Sequence, residues 1–381
     1  MTAGGPGAPP GALTIGIDGR ELQGRPTGTG RYLRNLLRTW PTTTQDRLVV
    51  YFNGPAPSDD ILDRPGIVRR PLGEAPARGL LWQERHLPAA ARADVLDVFF
   101  APAYACPLSL RVPRVTTVHD LSFFSYPQDF TAVDALRRRL LVSASVRASR
   151  LILAVSDFMR REILARFPGA EGRVLHVPHG ADDDVPPLPP REQARQRLEV
   201  RGPFLISVGS ILNRRRLPEL LRAVAGLAPR WPGLRLDVVG ENRTHPRLDV
   251  HGLVARLGLE RCVRLRGFID DRRLADCYAA ADVAIYLSEY EGFGLPALEA
   301  MARGVPVVIG DRPALTEIFG AAALGVDPGD VTAIGRALDR LLREPGLKAD
   351  LAARGRAIAA HYTWVQAAAS TREALAAAAR S

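Results

Sequence analysis

Short β-branched runs alternate with helical stretches along most of the chain. In the first half, Leu13–Ile17, Arg47–Phe52, Val95–Phe100, Arg114–Val118 and Leu151–Val155 are apolar at most positions. Such runs mark strands covered on both faces. Arg31–Trp40, Ala132–Ala148 and Asp157–Phe167 carry helical spacing. The alternation predicts βαβ units, hence a parallel sheet with helices on both sides. The proline cluster Val185–Pro190 then interrupts it. Such a cluster fits neither a sheet interior nor a helix and reads as a stiff linker. After it the pattern restarts. Phe204–Val208, Leu234–Val239, Cys262–Leu265, Val283–Leu287 and Val305–Ile309 read as strands. Leu217–Leu227, Arg272–Ala281, Pro296–Arg303 and Val331–Leu342 read as helices, followed by the Ala-rich helical stretches Leu347–Tyr362 and Trp364–Arg380. The chain reads as two similar α/β domains in tandem, each a doubly wound parallel sheet. Open parallel sheets bind ligands beyond the carboxyl ends of their strands, so two facing sheets are expected to share a site in the cleft between them.

Composition narrows this picture. A chain of 381 residues, 46% hydrophobic and 24% charged, suits two domains with real cores and is not disordered. The 51 Lys+Arg exceed the 41 Asp+Glu by ten, and Lys348 is the single lysine. So uniform an arginine bias says less about partners than its size suggests, although it favours acidic ones: phosphorylated ligands or anionic lipid. Cys106, Cys262 and Cys277 form no C-x-x-C pair and are odd in number, which predicts free thiols in a reducing cytosol. No apolar run is long enough to span a membrane, the stretch Val95–Leu108 being broken by Asp97, Pro102 and Pro107. The Gly/Pro/Ala-rich start lacks the regions of a signal peptide and reads as a floppy tail, so a cytoplasmic protein is expected.

Candidate chemistry concentrates in SEYEGFGLPALEAMA, Ser288–Ala302, directly after a strand. Gly292 and Gly294 permit a sharp turn and close approach to a ligand. Pro296 suits the first position of a helix whose free N–H groups form an anion site. Glu291 at the loop entrance and Glu299, expected in the first helical turn, can bracket a polyhydroxylated ligand, since a carboxylate accepts two hydrogen bonds from a diol. The plainer reading makes Glu299 a complement to the helix dipole and Glu291 a solvated loop residue. A second block, FLISVGSILNRRRL, places the Gly209–Ser210 turn and Arg214, Arg215 and Arg216 between a strand and a helix. Guanidiniums there can hold a diphosphate bidentately, although an arginine run is as often a solvated face. In Arg25–Arg31, Gly28 and Gly30 can set amides against a phosphate or an acceptor sugar. The third glycine of a dinucleotide fingerprint is missing, and Asn53 stands where the acid would be. His119 and Asp120 end a strand, where an imidazole can donate to a sugar hydroxyl or support a leaving group, although a lone histidine is more often structural. No histidine has metal-ligand spacing with an acid, and no metal is expected.

Together these blocks resemble glycosyltransferase family 4, the retaining nucleotide-sugar enzymes of the GT-B fold, from about Leu13 to Tyr362. The resemblance runs through IGIDGRELQGRPTGTGRY, VHDLSFFSYP, AVSDFMRREI, VGSILNRRR and EGFGLPALE, whose two glutamates have seven residues between them. It implies two Rossmann-like domains facing across a cleft: a tail at 1–11, an acceptor-side domain over 12–185, a linker over 186–198, a donor-binding domain over 199–360, and a C-terminal helix over 361–381 packing back on the first domain. It implies that Glu291 contacts the donor sugar, that Gly292, Phe293 and Gly294 hold its hydroxyls, and that Leu295 lies beside the phosphates. Glu299 would bind the ribose diol, Arg214 and Arg215 the diphosphate, and Ser210 the donor; the chain at Phe268 would read the base. His119 would lie near the donor sugar, with Gly28 and Gly30 in the first domain's glycine loop. Arg215 replaces the family's usual lysine, Leu212–Asn213 its Glu-Pro, and His179 a common asparagine.

The implied activity is hexosyl (including mannosyl) transfer from a UDP- or GDP-sugar to a glycan, lipid-linked or natural-product acceptor, with no cofactor. A nucleotide-sugar 2-epimerase on the same architecture and a non-catalytic sugar-nucleotide binder are the alternatives. A nucleic-acid partner is not expected, because the basic residues are not interleaved with aromatics. Ala132–Arg150 carries five arginines beside Leu136, Leu140 and Leu141, which allows peripheral contact with an anionic membrane at its cytoplasmic face. The competing reading is a solvated helix face over an ordinary core stripe.

Overall fold

The computed structural model describes residues 11–24, 27–74, 76, 79–181 and 187–380. Most of the expected tail, Arg25 and Pro26 of the glycine stretch, and Val185–Pro186 of the proline cluster lie outside them. The chain divides into two compact units. The first comprises the chain to His119, Arg138–His179 and the stretch from Trp364; the second comprises Asp120–Arg137 and Gly180–Thr363.

The first unit holds seven parallel strands: β1 (Thr14–Asp18), β2 (Arg47–Asn53), β3 (Ile67–Leu72), β4 (Val98–Ala101), β5 (Arg114–Val118), β6 (Leu151–Ala154) and β7 (Val174–His176), in the order β3-β2-β1-β4-β5-β6-β7. The second holds six, β8 (Phe204–Val208), β9 (Arg235–Val239), β10 (Val263–Arg266), β11 (Val283–Tyr286), β12 (Val307–Gly310) and β13 (Ala323–Val326), in the order β10-β9-β8-β11-β12-β13. Strand order reverses between β1 and β4 and between β8 and β11. Those are the points where adjacent loops diverge and leave room for a ligand.

The connections are α1 (Gly28–Arg38), α2 (Gly79–Leu81), α3 (Leu87–Ala93), α4 (Ser122–Ser125), α5 (Ala132–Ala148), α6 (Asp157–Arg166), α7 (Arg191–Leu198), α8 (Leu217–Leu227), α9 (Val250–Arg256), α10 (Asp271–Ala280), α11 (Leu295–Ala302), α12 (Pro313–Phe319), α13 (Val331–Arg343), α14 (Pro345–His361) and α15 (Trp364–Arg380). A π-helical turn, Trp82–His86, joins α2 to α3. Of these, α7 falls within the expected linker and packs on α10. Strands β3, β7 and β13 and helices α2, α3, α4, α9 and α12 are additions to the sequence reading. Val95 is a correction: it lies outside β4, 80% exposed with φ 49°.

Each sheet is closed by apolar side chains from its helices. Leu220, Leu221 and Val224 of α8 and Ile334, Leu338 and Leu341 of α13 pack with Leu205, Leu236 and Ile285. In the first unit, α15 packs on α1, β4, β5 and β6. Its fastening is ionic as well as apolar. Buried Arg372 donates from Nε to Oδ2 of Asp46 at 3.1 Å and from Nη2 to Oδ1 at 3.2 Å. Asp46 also accepts from Thr44, from the Trp40 indole and from the Leu13 amide. Burial alone would raise the Asp46 carboxyl, but these donors, Arg372 foremost, hold it below the ordinary 3.8.

Removing one partner of a buried ion pair strands the other, which costs about 3–5 kcal/mol. Arg372→Ala is expected to lower unfolding stability by that amount in denaturant titrations; a loss under about 1 kcal/mol would place the pair among weak surface bridges instead. Because the folded carboxyl is depressed, its contribution is complete above the ordinary value and is lost as pH falls through the lower folded value. Urea midpoints of wild type and variant are therefore expected to converge in acid.

Candidate active site

Loops from β8 and β11, the two strands at the second unit's reversal point, build a polar cluster around several of the predicted residues. After β8, Gly209 has φ 119°, in the left-handed region that favours glycine, and a Cβ there would lie 2.5 Å from Nη1 of Arg215. That absence of a side chain lets Arg215 fold back under the turn. Its Nη1 donates to the Ser210 carbonyl at 3.0 Å and its Nη2 to the Tyr286 hydroxyl at 2.7 Å. Its Nε donates to Oε1 of Glu291 at 2.8 Å, and the same oxygen accepts from the Ser288 hydroxyl at 3.0 Å. The guanidinium also lies 5.0 Å from the Tyr286 ring centroid, within cation–π range.

Burial disfavours charge on both Arg215 and Glu291, but each holds the other ionised. Burial would lower Arg215, and the Glu291 charge outweighs it and raises the guanidinium above its usual value. Burial would raise Glu291, and Arg215 followed by Arg214 bring it below the usual carboxylate value. Burial raises the Tyr286 phenol, which remains neutral. The reading of Glu291 as a solvated loop residue is thereby overturned.

Arg214 is 8% exposed, so the solvated-face reading of the arginine run fails as well. Its Nε donates to the Tyr290 carbonyl at 3.3 Å, and Nη2 pairs with Asp120 at 3.7 Å. Arg216 takes up φ 48°, a left-handed strain that costs on the order of 1–3 kcal/mol and persists only where its surroundings enforce it. Glu289 supplies that enforcement. It accepts from Arg216 at 2.8 Å and from Arg312 at 2.6 Å, while its amide donates to the Arg214 carbonyl at 2.8 Å. Glu289, Tyr286 and Arg312 escaped the sequence reading. The only available signal was a second acid two residues before Glu291.

The glycine loop is anchored by Phe293, 4% exposed, whose ring stands edge-on to Phe319 and Tyr362. Gly292 is buried, and Gly294 precedes α11 with φ 104°. Gly294, the residue before Leu295, has no side chain to cap the start of α11. Pro296 is thus the second helical residue, not the first, and Glu299 is the fifth, one residue further in than expected and past the first turn. Glu299 is 3% exposed and accepts from the Tyr278 hydroxyl at 3.3 Å, so it is no mere complement to the helix dipole. Phe268 follows β10 and is 61% exposed.

The first unit carries the remaining candidates. Gly28 opens α1, and the Gly30 amide donates to the Thr27 hydroxyl, the helix cap, at 3.0 Å. A Cβ on Gly30 would collide with the Glu21 carbonyl. That glycine therefore serves the packing of α1, and its amide is not available to a phosphate as expected. His119 hydrogen bonds through Nε2 to the Pro102 carbonyl at 2.7 Å and through Nδ1 to Nε2 of His179 at 3.3 Å. A carbonyl can only accept, so His119 carries a proton on Nε2. Burial, with the nearby His119, pushes His179 well below the usual 6.5. The expectation of an imidazole free to donate to a sugar hydroxyl is not met: both ring nitrogens are engaged within the chain.

Set beside known proteins, the chain matches the family described as Glycosyl transferases group 1 over residues 190–358 and Glycosyltransferase Family 4 over residues 26–185. It is 31% identical over 360 residues to the O-antigen chain mannosyltransferase B of Escherichia coli, covering 89% of this chain and 93% of that one. Among solved structures, the sucrose-phosphate synthase of Thermosynechococcus elongatus superposes with TM-score 0.78 at 22% identity over 95% of this chain and 98% of that one. Anabaena HepE in complex with UDP-glucose gives TM-score 0.75 at 22% identity, covering 95% and 100%.

Gly209→Ala is expected to displace the Arg215 side chain and to cost about 1–3 kcal/mol, the price of an alanine in this conformation. Thermal or urea unfolding measures the loss. An alanine variant as stable as wild type would show that Arg215 does not depend on the missing Cβ.

Proposed function

The chain belongs to glycosyltransferase family 4, and from that premise we propose that it moves a hexosyl group, a mannosyl group first among the candidates, from a UDP- or GDP-sugar with retention of configuration. It is a glycosyltransferase of the GT-B fold class, two Rossmann-like parallel-sheet units. The observation that carries the donor assignment is the Arg214–Arg215–Glu291 cluster beside the uncapped start of α11. The mannosyl choice is supported by the name of its Escherichia coli relative, and the acceptor is proposed to be a glycan, a lipid-linked sugar or a natural product.

In this reading the bond between the anomeric carbon and the diphosphate breaks, and negative charge accumulates on the leaving phosphate. Arg214, Arg215 and the α11 amides around Leu295 stabilise that charge before it forms fully. Donors already oriented for it lower the barrier without reorganisation. Glu291, oriented by Arg215 and Ser288, holds a donor-sugar hydroxyl, with Gly292 and Gly294 offering backbone groups. Glu299 takes the ribose diol and the chain at Phe268 the base. Ser210 lies on the phosphate side. Gly28 is proposed for the donor on the strength of its sequence motif.

Titration of the protein with UDP, GDP, UDP-glucose and GDP-mannose, followed by product analysis with and without acceptors, tests this proposal. One nucleotide series is expected to raise the melting temperature, since ligand at a hundred times Kd adds about 2.7 kcal/mol of stability. Arg214→Ala is expected to lower kcat by about 10²–10³-fold. Donor epimerised without acceptor, or unchanged transfer by the variant, contradicts the reading.

An acceptor on a lipid carrier requires access to a membrane surface. Among the described residues no helix is long and apolar enough to cross one. Support for peripheral contact comes from α5, where Val133, Leu136 and Leu140 share one face at 78%, 57% and 63% exposure. Exposed Arg137 lies on that face too, so these leucines are not the core stripe of an ordinary helix. Flotation with liposomes containing anionic lipid is expected to carry the wild type at low salt and to fail for Leu136→Asp/Leu140→Asp. Equal flotation of both would remove α5 from the membrane contact.

A further inference from the structure

A second charged cavity sits at the other end of the strands that build the candidate active site. Gly202 and Pro203 lead into β8, and Asp282 leads into β11. β8 is five residues long, which separates the two ends by roughly 15 Å. The cavity has a volume of about 250 Å³ and is lined by these residues with Arg191, Arg195 and Lys348.

Its charge does not balance. Arg191 pairs with Asp282 at 2.8 Å, Arg195 at 3.6 Å and Lys348 at 3.1 Å. Among the described residues no other carboxylate pairs with any of the three. Asp282 also accepts from the Phe204 amide at 2.9 Å. Three cations therefore share one anion, leaving a surplus of two positive charges. A tie between helix and strand needs only one cation for one carboxylate. Repulsion among the others counts against the fold unless something else occupies the space.

The positions of the cations sharpen this imbalance. Arg191 is the first residue of α7 and Lys348 lies in the first turn of α14, where the helix dipole disfavours positive charge. In a chain whose basic residues are otherwise all arginine, Lys348 is the one compact ammonium. Donor capacity remains as well. Arg191 gives Nη1 to the Ala281 carbonyl at 2.8 Å and Nη2 to Asp282, while Arg195 gives Nη1 to Ala280 at 3.4 Å and Nη2 to Gly202 at 2.6 Å. Among the described residues, both Nε–H groups and two of the three Lys348 protons have no acceptor.

We propose that this cavity binds a small dianion bearing a phosphoryl group, either inorganic phosphate or a phosphate monoester. A dianion cancels the two surplus charges, and its oxygens match guanidinium and ammonium donors. The volume admits a phosphate with a small body and is too small for a nucleotide sugar. The site is separate from the proposed donor site and does not depend on it.

Calorimetric titration at low ionic strength with inorganic phosphate and with mannose 6-phosphate tests this, on wild type, Lys348→Gln, Arg191→Gln and Lys348→Arg. Each protein is also titrated with the nucleoside diphosphates, and its melting temperature is recorded. Lys348→Gln and Arg191→Gln are expected to weaken phosphate binding about tenfold or more, with nucleoside diphosphate binding unchanged. Lys348→Arg is expected to keep most of the affinity. Equal affinity for the two ligands identifies the free ion as sufficient; tighter binding of the ester identifies a metabolite. Wild-type phosphate affinity in folded Lys348→Gln and Arg191→Gln overturns the proposal, as does the absence of binding to wild type above a chloride control.

Discussion

A guanidinium and a carboxylate, 76 residues apart in sequence, meet where β8 and β11 end, and the surrounding loops take their shape from that meeting. Neither Arg215 nor Glu291 could stay charged there alone, because burying a lone ion costs several kcal/mol even after relaxation. Paired, and joined by Ser288, Tyr286 and the Ser210 carbonyl, they fix the turn after β8 against the loop after β11. A pair on a wet surface is worth only about 0–1 kcal/mol and could not impose such geometry. Gly209 is the local condition, since any side chain there intrudes on the guanidinium.

Around this pair the polar groups hold one another in place. Glu289 binds Arg216 and Arg312, and Arg312 continues to Asp327 at 3.1 Å. The strained backbone of Arg216 persists because its side chain has a fixed acceptor. Phe293 points into an aromatic niche formed by Phe319 and Tyr362, which anchors the glycine loop. Groups fixed before a ligand arrives need not reorganise during transfer, and that is the physical content of preorganisation.

Most of this architecture was legible in the sequence, for stated reasons. β8, α8 and α15 have the bounds their patterns predict, because long apolar periods leave little choice of register. The missed elements lack that signal. β3 reads IVRRPL, an edge strand with two arginines and a proline, β7 has three residues, and β13 contains a glycine. Helices α9 and α12 have seven residues each, too few for a clear period. At the site, the glutamates and arginines were legible as a motif, but their pairing was not. Sequence spacing says nothing about which arginine meets which acid when the partners lie on separate strands. A shift of one residue at the start of α11 was enough to move Glu299 out of the first turn. For His119, the competing acceptor was the Pro102 carbonyl, 17 residues away, which no local pattern reveals.

The two ends of the β8–β11 pair solve opposite electrostatic problems. At the carboxyl ends, Arg214, Arg215, Arg216 and Arg312 each meet a carboxylate, Asp120, Glu291, Glu289 and Asp327 among them. That cluster is nearly neutral as it stands. The diphosphate proposed for this site would find oriented donors and dipoles more than net charge, so geometry would govern its binding and distant screening would matter little. At the amino ends, three cations share Asp282, and attraction there comes from uncompensated charge, which reaches further and discriminates less. A neutral, rigid cluster suits a group that must be held in one pose while a bond breaks; a surplus of charge suits an ion that only has to stay. The contrast follows from how many carboxylates each end was given.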